Sequence, residues 1–234
     1  LTLENPVAVP AGRCNNLQQT NGRSISGDMM VLLRTLCLGT ALFAGAALAQ
    51  PVVTAGVKYE QQADVRGTKL LLNGTGTRSV PFLGSYYTAG LYLTRKASTP
   101  EEVAAAPGPK RMSITALREI DSADLGKRFT RGVEDNMNRG EMAKLVPGLI
   151  RMSQVFSDCK KLQPGDNFTI DWVPGTGTVL TVNAASKCAP NVEPFKEPEF
   201  YNALLSIWLG KKPADSRLKD LLLGQQPASP NTGQ

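Results

Sequence analysis

The 234-residue chain contains no histidine. That absence removes Ser-His-Asp and Cys-His nucleophile arrangements and every imidazole metal ligand. Cysteine is scarce: Cys14, Cys37, Cys159 and Cys188 include no Cys-x-x-Cys pair, which argues against structural zinc. No apolar run is long enough to span a bilayer, since the longest, Leu36 to Ala49, has about fourteen residues against the roughly eighteen or more required. Neither sign of charge dominates. The 26 Lys+Arg and 20 Asp+Glu leave a net charge of +6 that is spread along the chain, so no phosphate backbone is expected as a partner. Catalysis, if any, is left to Arg, Lys, Tyr, carboxylates or hydroxyls, and no metal or cofactor motif is found. What remains is ordinary: 41% apolar, 20% charged and 6% aromatic residues suit one soluble domain.

From Met29 the chain reads as a secretory signal: a start at Met29 or Met30, Arg34, the apolar run, and Ala47-Leu48-Ala49 before Gln50 as a small-x-small cleavage site. Leu36 directly before Cys37 does not favour lipoprotein processing. Residues 1–28 lack hydrophobic periodicity and read as leader translated from a mis-set start, with 29–49 as the signal peptide. The expected product is periplasmic or secreted, has no membrane span, and begins near Gln50. In an oxidising compartment Cys159 and Cys188 either form a disulfide or remain separate buried thiols.

Residues 50–224 read as a single domain and 225–234 as a disordered polar tail. Strand-like runs cover Val57 to Val65, Lys69 to Leu72, Arg78 to Leu83 and Tyr86 to Leu93, with Asn73-Gly74-Thr75-Gly76 read as a hairpin turn. Thr99-Pro100-Glu101-Glu102 caps a short helix, and Arg111 to Arg118 returns as a strand. Leu125, Phe129, Val133 and Met137 make one helical stripe. A second helix carries Met142 to Phe156, with a kink or restart expected at Pro147-Gly148. Pro174-Gly175-Thr176-Gly177 joins two strands, and Phe200 to Trp208 and Leu218 to Leu222 are helical faces. Strands segregated from helices imply α+β: a large antiparallel sheet covered on one face by helices.

Candidate chemistry is thin. Both Gly-rich stretches lack the following helix and Gly-Lys-Ser/Thr ending of a phosphate loop. Glu101-Glu102 and Glu134-Asp135 suit solvated helix faces, and Lys211-Lys212 suits a helix C-terminus. Ser153, Ser206, Tyr86 and Tyr87 have no recognisable base beside them. Arg78 either is a solvated strand arginine or offers a guanidinium fork for a carboxylate or phenolate. Asn136, seven residues after Phe129, shares its helix face and places an amide beside the apolar stripe.

Three stretches together resemble the chalcone isomerase-like superfamily, in particular its bacterial exported members. They are Leu72 to Arg78 with Tyr87 to Leu93, then Phe129 to Asn136, and finally Phe200 to Gly224 with Ile207-Trp208-Leu209-Gly210 at its centre. The resemblance implies an open-faced sandwich of a large antiparallel sheet under a helical layer. It also implies a ligand cleft in which Arg78 matches the substrate-orienting arginine and Asn136 a ligand-contacting asparagine. The family's catalytic tyrosine is Phe129 here; the position of its threonine is Tyr87, or Thr88 if the register shifts by one. Losing one such donor costs about 3–4 kcal/mol of transition-state stabilisation. A non-catalytic binder of a fatty acid or similar hydrophobic carboxylate beside Arg78, with Tyr86 or Tyr87 assisting, is therefore the leading expectation. An isomerase or lyase with altered substrate, and a structural or partner-binding protein with a closed cleft, are the alternatives.

Overall fold

A computed structural model describes residues 50–82, 84–183 and 192–226, all within one compact unit. In chain order the elements are β1 Val52–Thr54, β2 Val57–Tyr59, β3 Gln62–Val65, β4 Thr68–Val80, β5 Gly84–Leu93, α1 Pro100–Ala105, β6 Lys110–Ala116 and β7 Ile120–Asp121. They continue with α2 Ser122–Glu134, α3 Arg139–Asp158, β8 Lys161–Leu162, β9 Asn167–Val173, β10 Gly177–Asn183, α4 Pro198–Leu209 and α5 Ser216–Leu222.

The main sheet has six strands in the order β10-β9-β6-β5-β4-β3, every neighbouring pair antiparallel. Strand alternation divides its side chains between two faces. Ala89, Leu91 and Leu93 of β5, Met112 and Ile114 of β6, and Phe168 and Ile170 of β9 join a core with α2, α3 and α4. The opposite face holds a smaller cluster of Tyr59, Val65, Leu70, Leu72, Tyr92 and Val173. This is the expected α+β arrangement, a large antiparallel sheet with a helical layer on one face.

Local chemistry sets the helix ends. Thr99 accepts from the Glu102 N–H at the start of α1, and Asp121 accepts from Asp124 N at the start of α2. Asn138 and Glu141 form a reciprocal capping box at the start of α3. α3 continues through Pro147, so of the expected kink or restart the restart does not occur. The adjacent Gly148 serves packing instead, because a Cβ there would lie 2.7 Å from the Phe200 ring of α4.

Asn73-Gly74-Thr75-Gly76 is not a turn. It lies inside β4, with a register irregularity between Leu72 and Gly74. The glycines are required by the close approach of α5: a Cβ on Gly74 would sit 2.0 Å from the Leu221 carbonyl oxygen, and one on Gly76 would sit 2.8 Å from Leu218 Cδ1. Asn73 reinforces the seam by donating to the Leu222 and Ala97 carbonyls and accepting from Ala97 N–H. The chain reverses later, after Val80, which pairs with Gly84. The second Gly-rich stretch is the expected hairpin: Thr176 N–H bonds Val173 O between β9 and β10.

Cys159 caps the end of α3 and is buried. Cys188, the residue expected to pair with it, lies outside the described residues, as do the whole leader and signal segment to Ala49 and residues 227–234. Gln225, assigned with the tail, donates its side-chain amide to Ser98 O at 2.7 Å. Among the described residues no helix is long and apolar enough to cross a membrane.

Candidate functional site

A cavity of about 320 Å³ opens where the β4–β5 hairpin meets α2, the end of α4 and the segment leading to α5. Four of the five residues expected around a ligand line it: Arg78, Tyr86, Tyr87 and Phe129. Arg78 and Tyr87 are directly opposed partners across β4 and β5, which directs both side chains to the same sheet face. Leu125, Phe129 and Ile207, all buried, supply apolar wall.

Tyr87 is the buried polar centre of the site. Its hydroxyl accepts from Trp208 Nε1 at 2.9 Å, so the hydroxyl proton remains for a second partner. Burial pushes its pKa up to about 12, outweighing the downward effects of the Trp208 bond and the nearby Arg78 charge. Tyr87 is thus a neutral phenol at physiological pH, suited to donation.

Arg78 is a partly buried cation with a partner of its own. Its Nη1 lies 3.2 Å from Oδ2 of Asp215, with side-chain exposures of 25% and 17%. The other Asp215 oxygen accepts from Leu218 N–H and caps α5. An incoming anion therefore shares or displaces a carboxylate that also anchors a helix.

The solvent-facing rim carries three further cations, Arg128, Arg131 and Lys212, and one further carboxylate, Asp135. Arg128 lies 5.9 Å over the Tyr86 ring, within cation–π range. Sequence reasoning missed Arg128, Arg131 and Asp215 and read Lys212 only as a helix C-terminal cation. The one available signal was that Arg128 and Arg131 flank the Leu125–Phe129 stripe at helical spacing.

Asn136 does not line the cavity. Its amide donates to Gly132 O and Lys212 O, both at 2.9 Å, and its oxygen accepts from Lys212 N–H at 2.8 Å. It therefore fixes the Gly210–Lys212 segment against the end of α2. Thr88 also points away: its hydroxyl accepts from Tyr59 on the opposite sheet face at 2.7 Å. Of the two neighbours, only Tyr87 faces the cavity. Phe129 packs edge-on against Phe156 and Trp208, at centroid distances of 5.6 and 5.3 Å.

Among the described residues, no group of three or more His, Cys, Asp or Glu side chains could hold a metal ion. A family model for chalcone isomerase-like proteins matches residues 51–224. No curated protein sequence matches the chain. Among solved structures, the crystal structure of a fatty-acid binding protein from Arabidopsis thaliana is similar, with a TM-score of 0.57 at 13% identity, covering 74% of this chain and 96% of that one.

Proposed function

The chain belongs to the chalcone isomerase-like family, and from that premise we propose that it is an exported, non-catalytic protein holding a fatty acid or similar hydrophobic carboxylate in the cavity beside Arg78. The observation that carries the proposal is the pairing of a guanidinium and a neutral phenol, Arg78 and Tyr87, at one cavity with Leu125, Phe129 and Ile207 as apolar wall. Two donors of that kind suit one carboxylate, and the wall suits an acyl chain. The Arabidopsis protein of similar fold is a fatty-acid binding protein, which supports the same ligand class.

At about 320 Å³, the cavity falls within the roughly 300–1,000 Å³ usual for small-molecule sites. Export follows from the signal sequence and cleavage near Ala49-Gln50, and places the Cys159–Cys188 pair in an oxidising compartment, where we assign the disulfide.

Proton-transfer catalysis needs a group of suitable pKa within hydrogen-bond reach of the substrate. The cavity offers a phenol held near 12, a carboxylate on the exposed rim, and another paired with Arg78. That set favours retention of a ligand over turnover.

The test is native mass spectrometry of protein purified from the exporting compartment, followed by solvent extraction and identification of the released molecule. A stoichiometric amphiphilic carboxylate, lost in Arg78→Ala, is expected. A protein that arrives empty and takes up no added fatty acid overturns the reading, as does retention unchanged in Arg78→Ala.

A further inference from the structure

We propose that the cavity mouth docks on an anionic lipid surface, with Phe82 at the tip of the β4–β5 hairpin entering the acyl region. Phe82 is fully exposed and has a φ of 63°, a left-handed conformation that is unusual for a bulky side chain. Among the described residues no packing explains either property, since the side chain is fully exposed. Turn tips ordinarily carry Gly, Asn or Asp at such a position.

The surroundings supply the rest of an interfacial site. Val80 and Gly84 pair directly beneath the tip, and Val80 also lines the cavity. One pair further down are Ser79 and Ser85, which border a groove whose other wall includes the exposed Val52 and Val53. The hairpin that carries Phe82 thus also borders the exposed Val52 and Val53.

Charge selects the partner. Arg128, Arg131 and Lys212 surround the same mouth, opposed on the rim by Asp135 alone, because Asp215 is engaged with Arg78. An apolar projection ringed by cations matches the two components of binding to anionic membranes, insertion and headgroup attraction. The orientation also faces the cavity toward the phase where a hydrophobic carboxylate partitions, a consequence that rests on the ligand reading proposed above.

The test is co-sedimentation of the purified protein with phosphatidylglycerol/phosphatidylcholine vesicles and with phosphatidylcholine vesicles alone. Binding to the anionic vesicles is expected, weakened by salt. Phe82→Asn, in which the residue tolerates the same φ, is expected to lower partitioning about tenfold or more. Arg128→Gln/Arg131→Gln should lower it about 25-fold, from roughly fivefold per charge. Octanoate titration of Phe82→Asn separates the two proposals, because Phe82 is not among the cavity-lining residues. Vesicle binding with no octanoate uptake by the parent protein would sink the ligand reading and leave this one standing. Equal binding to both vesicle types, no binding, or full binding by Phe82→Asn overturns the docking proposal. Self-association abolished by Phe82→Asn without vesicle binding would assign the patch to a second copy and also overturn it.

Discussion

Replacing Asp215 by Asn should tighten carboxylate binding while leaving the fold nearly unchanged. In the parent, Asp215 makes one contact of 3.2 Å to Arg78, and both side chains are partly exposed. Ion pairs in that setting contribute up to about 1 kcal/mol, which bounds the stability loss. Asn preserves the helix cap, because its side-chain oxygen can still accept from the Leu218 N–H. Ala removes charge and cap together and should cost about 1 kcal/mol more. For the ligand, the carboxylate no longer competes with Asp215 for the guanidinium. Regaining roughly 0.5–1 kcal/mol corresponds to about a two- to fivefold gain in affinity. Isothermal titration with octanoate, with a neutral amide of the same chain length as control, measures this directly. The amide should show no gain. Weaker octanoate binding in Asp215→Asn would mean that Asp215 holds Arg78 in its working position, and the competition argument would fail.

Tyr87→Phe removes the ligand donor and strands the buried Trp208 N–H, so a stability loss of about 1–3 kcal/mol and an octanoate affinity down about tenfold are expected, read by urea titration and calorimetry. Gly74→Ala pushes a Cβ to within 2.0 Å of the Leu221 carbonyl and should destabilise by about 2–3 kcal/mol or more; a harmless Ala would return Gly74 to the class of turn glycines. Alkaline pH should unfold the protein: burial raises the Tyr87 and Tyr92 pKa values to about 12 and also raises those of Tyr59 and Tyr201. The folded state therefore holds protons that the unfolded chain releases near pH 10. The stabilisation is full below that pH and lost as pH rises toward 12, so a urea midpoint unchanged between pH 9 and 11.5 would contradict it. Reduction, or Cys159→Ser, should lower stability by about 3–4 kcal/mol if Cys159 and Cys188 close their loop of about thirty residues; an unchanged midpoint under dithiothreitol would reject that pairing.

The α+β class, the cap of α1 and the apolar stripes were legible because each is written within a few residues. Thr99 sits at the expected helix start, and Leu125, Phe129 and Val133 all face the core. The misreading of Asn73-Gly74-Thr75-Gly76 has the opposite cause. Asn-Gly is a local hairpin signal, whereas the glycines here answer to α5, and Asn73 bonds Leu222 across 149 positions. The site shows the same division. Arg78 and Tyr87 were found as residues, but their partners Asp215 and Trp208 lie 137 and 121 positions away. No local pattern could announce that Asp215 caps a helix and engages the site's arginine at once. Asn136 lies just past the end of α2 and not on its face, and its hydrogen-bond partners on the Gly210–Lys212 segment become visible only in the folded chain.

The division of labour around Phe129 and Tyr87 bears on the retention of a ligand proposed for this cavity. Phe129 is enclosed by Phe156, Phe168 and Trp208 at centroid distances of 5.3–5.9 Å. It packs against these three rings and also lines the cavity, and it has no hydroxyl to orient water. The hydroxyl that remains belongs to Tyr87, on the sheet side of the cavity, where Trp208 fixes the oxygen and burial holds the proton. Trp208 therefore links the two roles, packing against Phe129 through its ring and donating to Tyr87 through its indole nitrogen. A donor fixed in this way can hold a resident anion with little reorganisation. It is poorly placed to exchange protons with a substrate at neutral pH, because catalysis is most efficient when the pKa lies near the operating pH. The burial that would let Tyr87 anchor a resident anion is the same burial that raises its pKa to about 12.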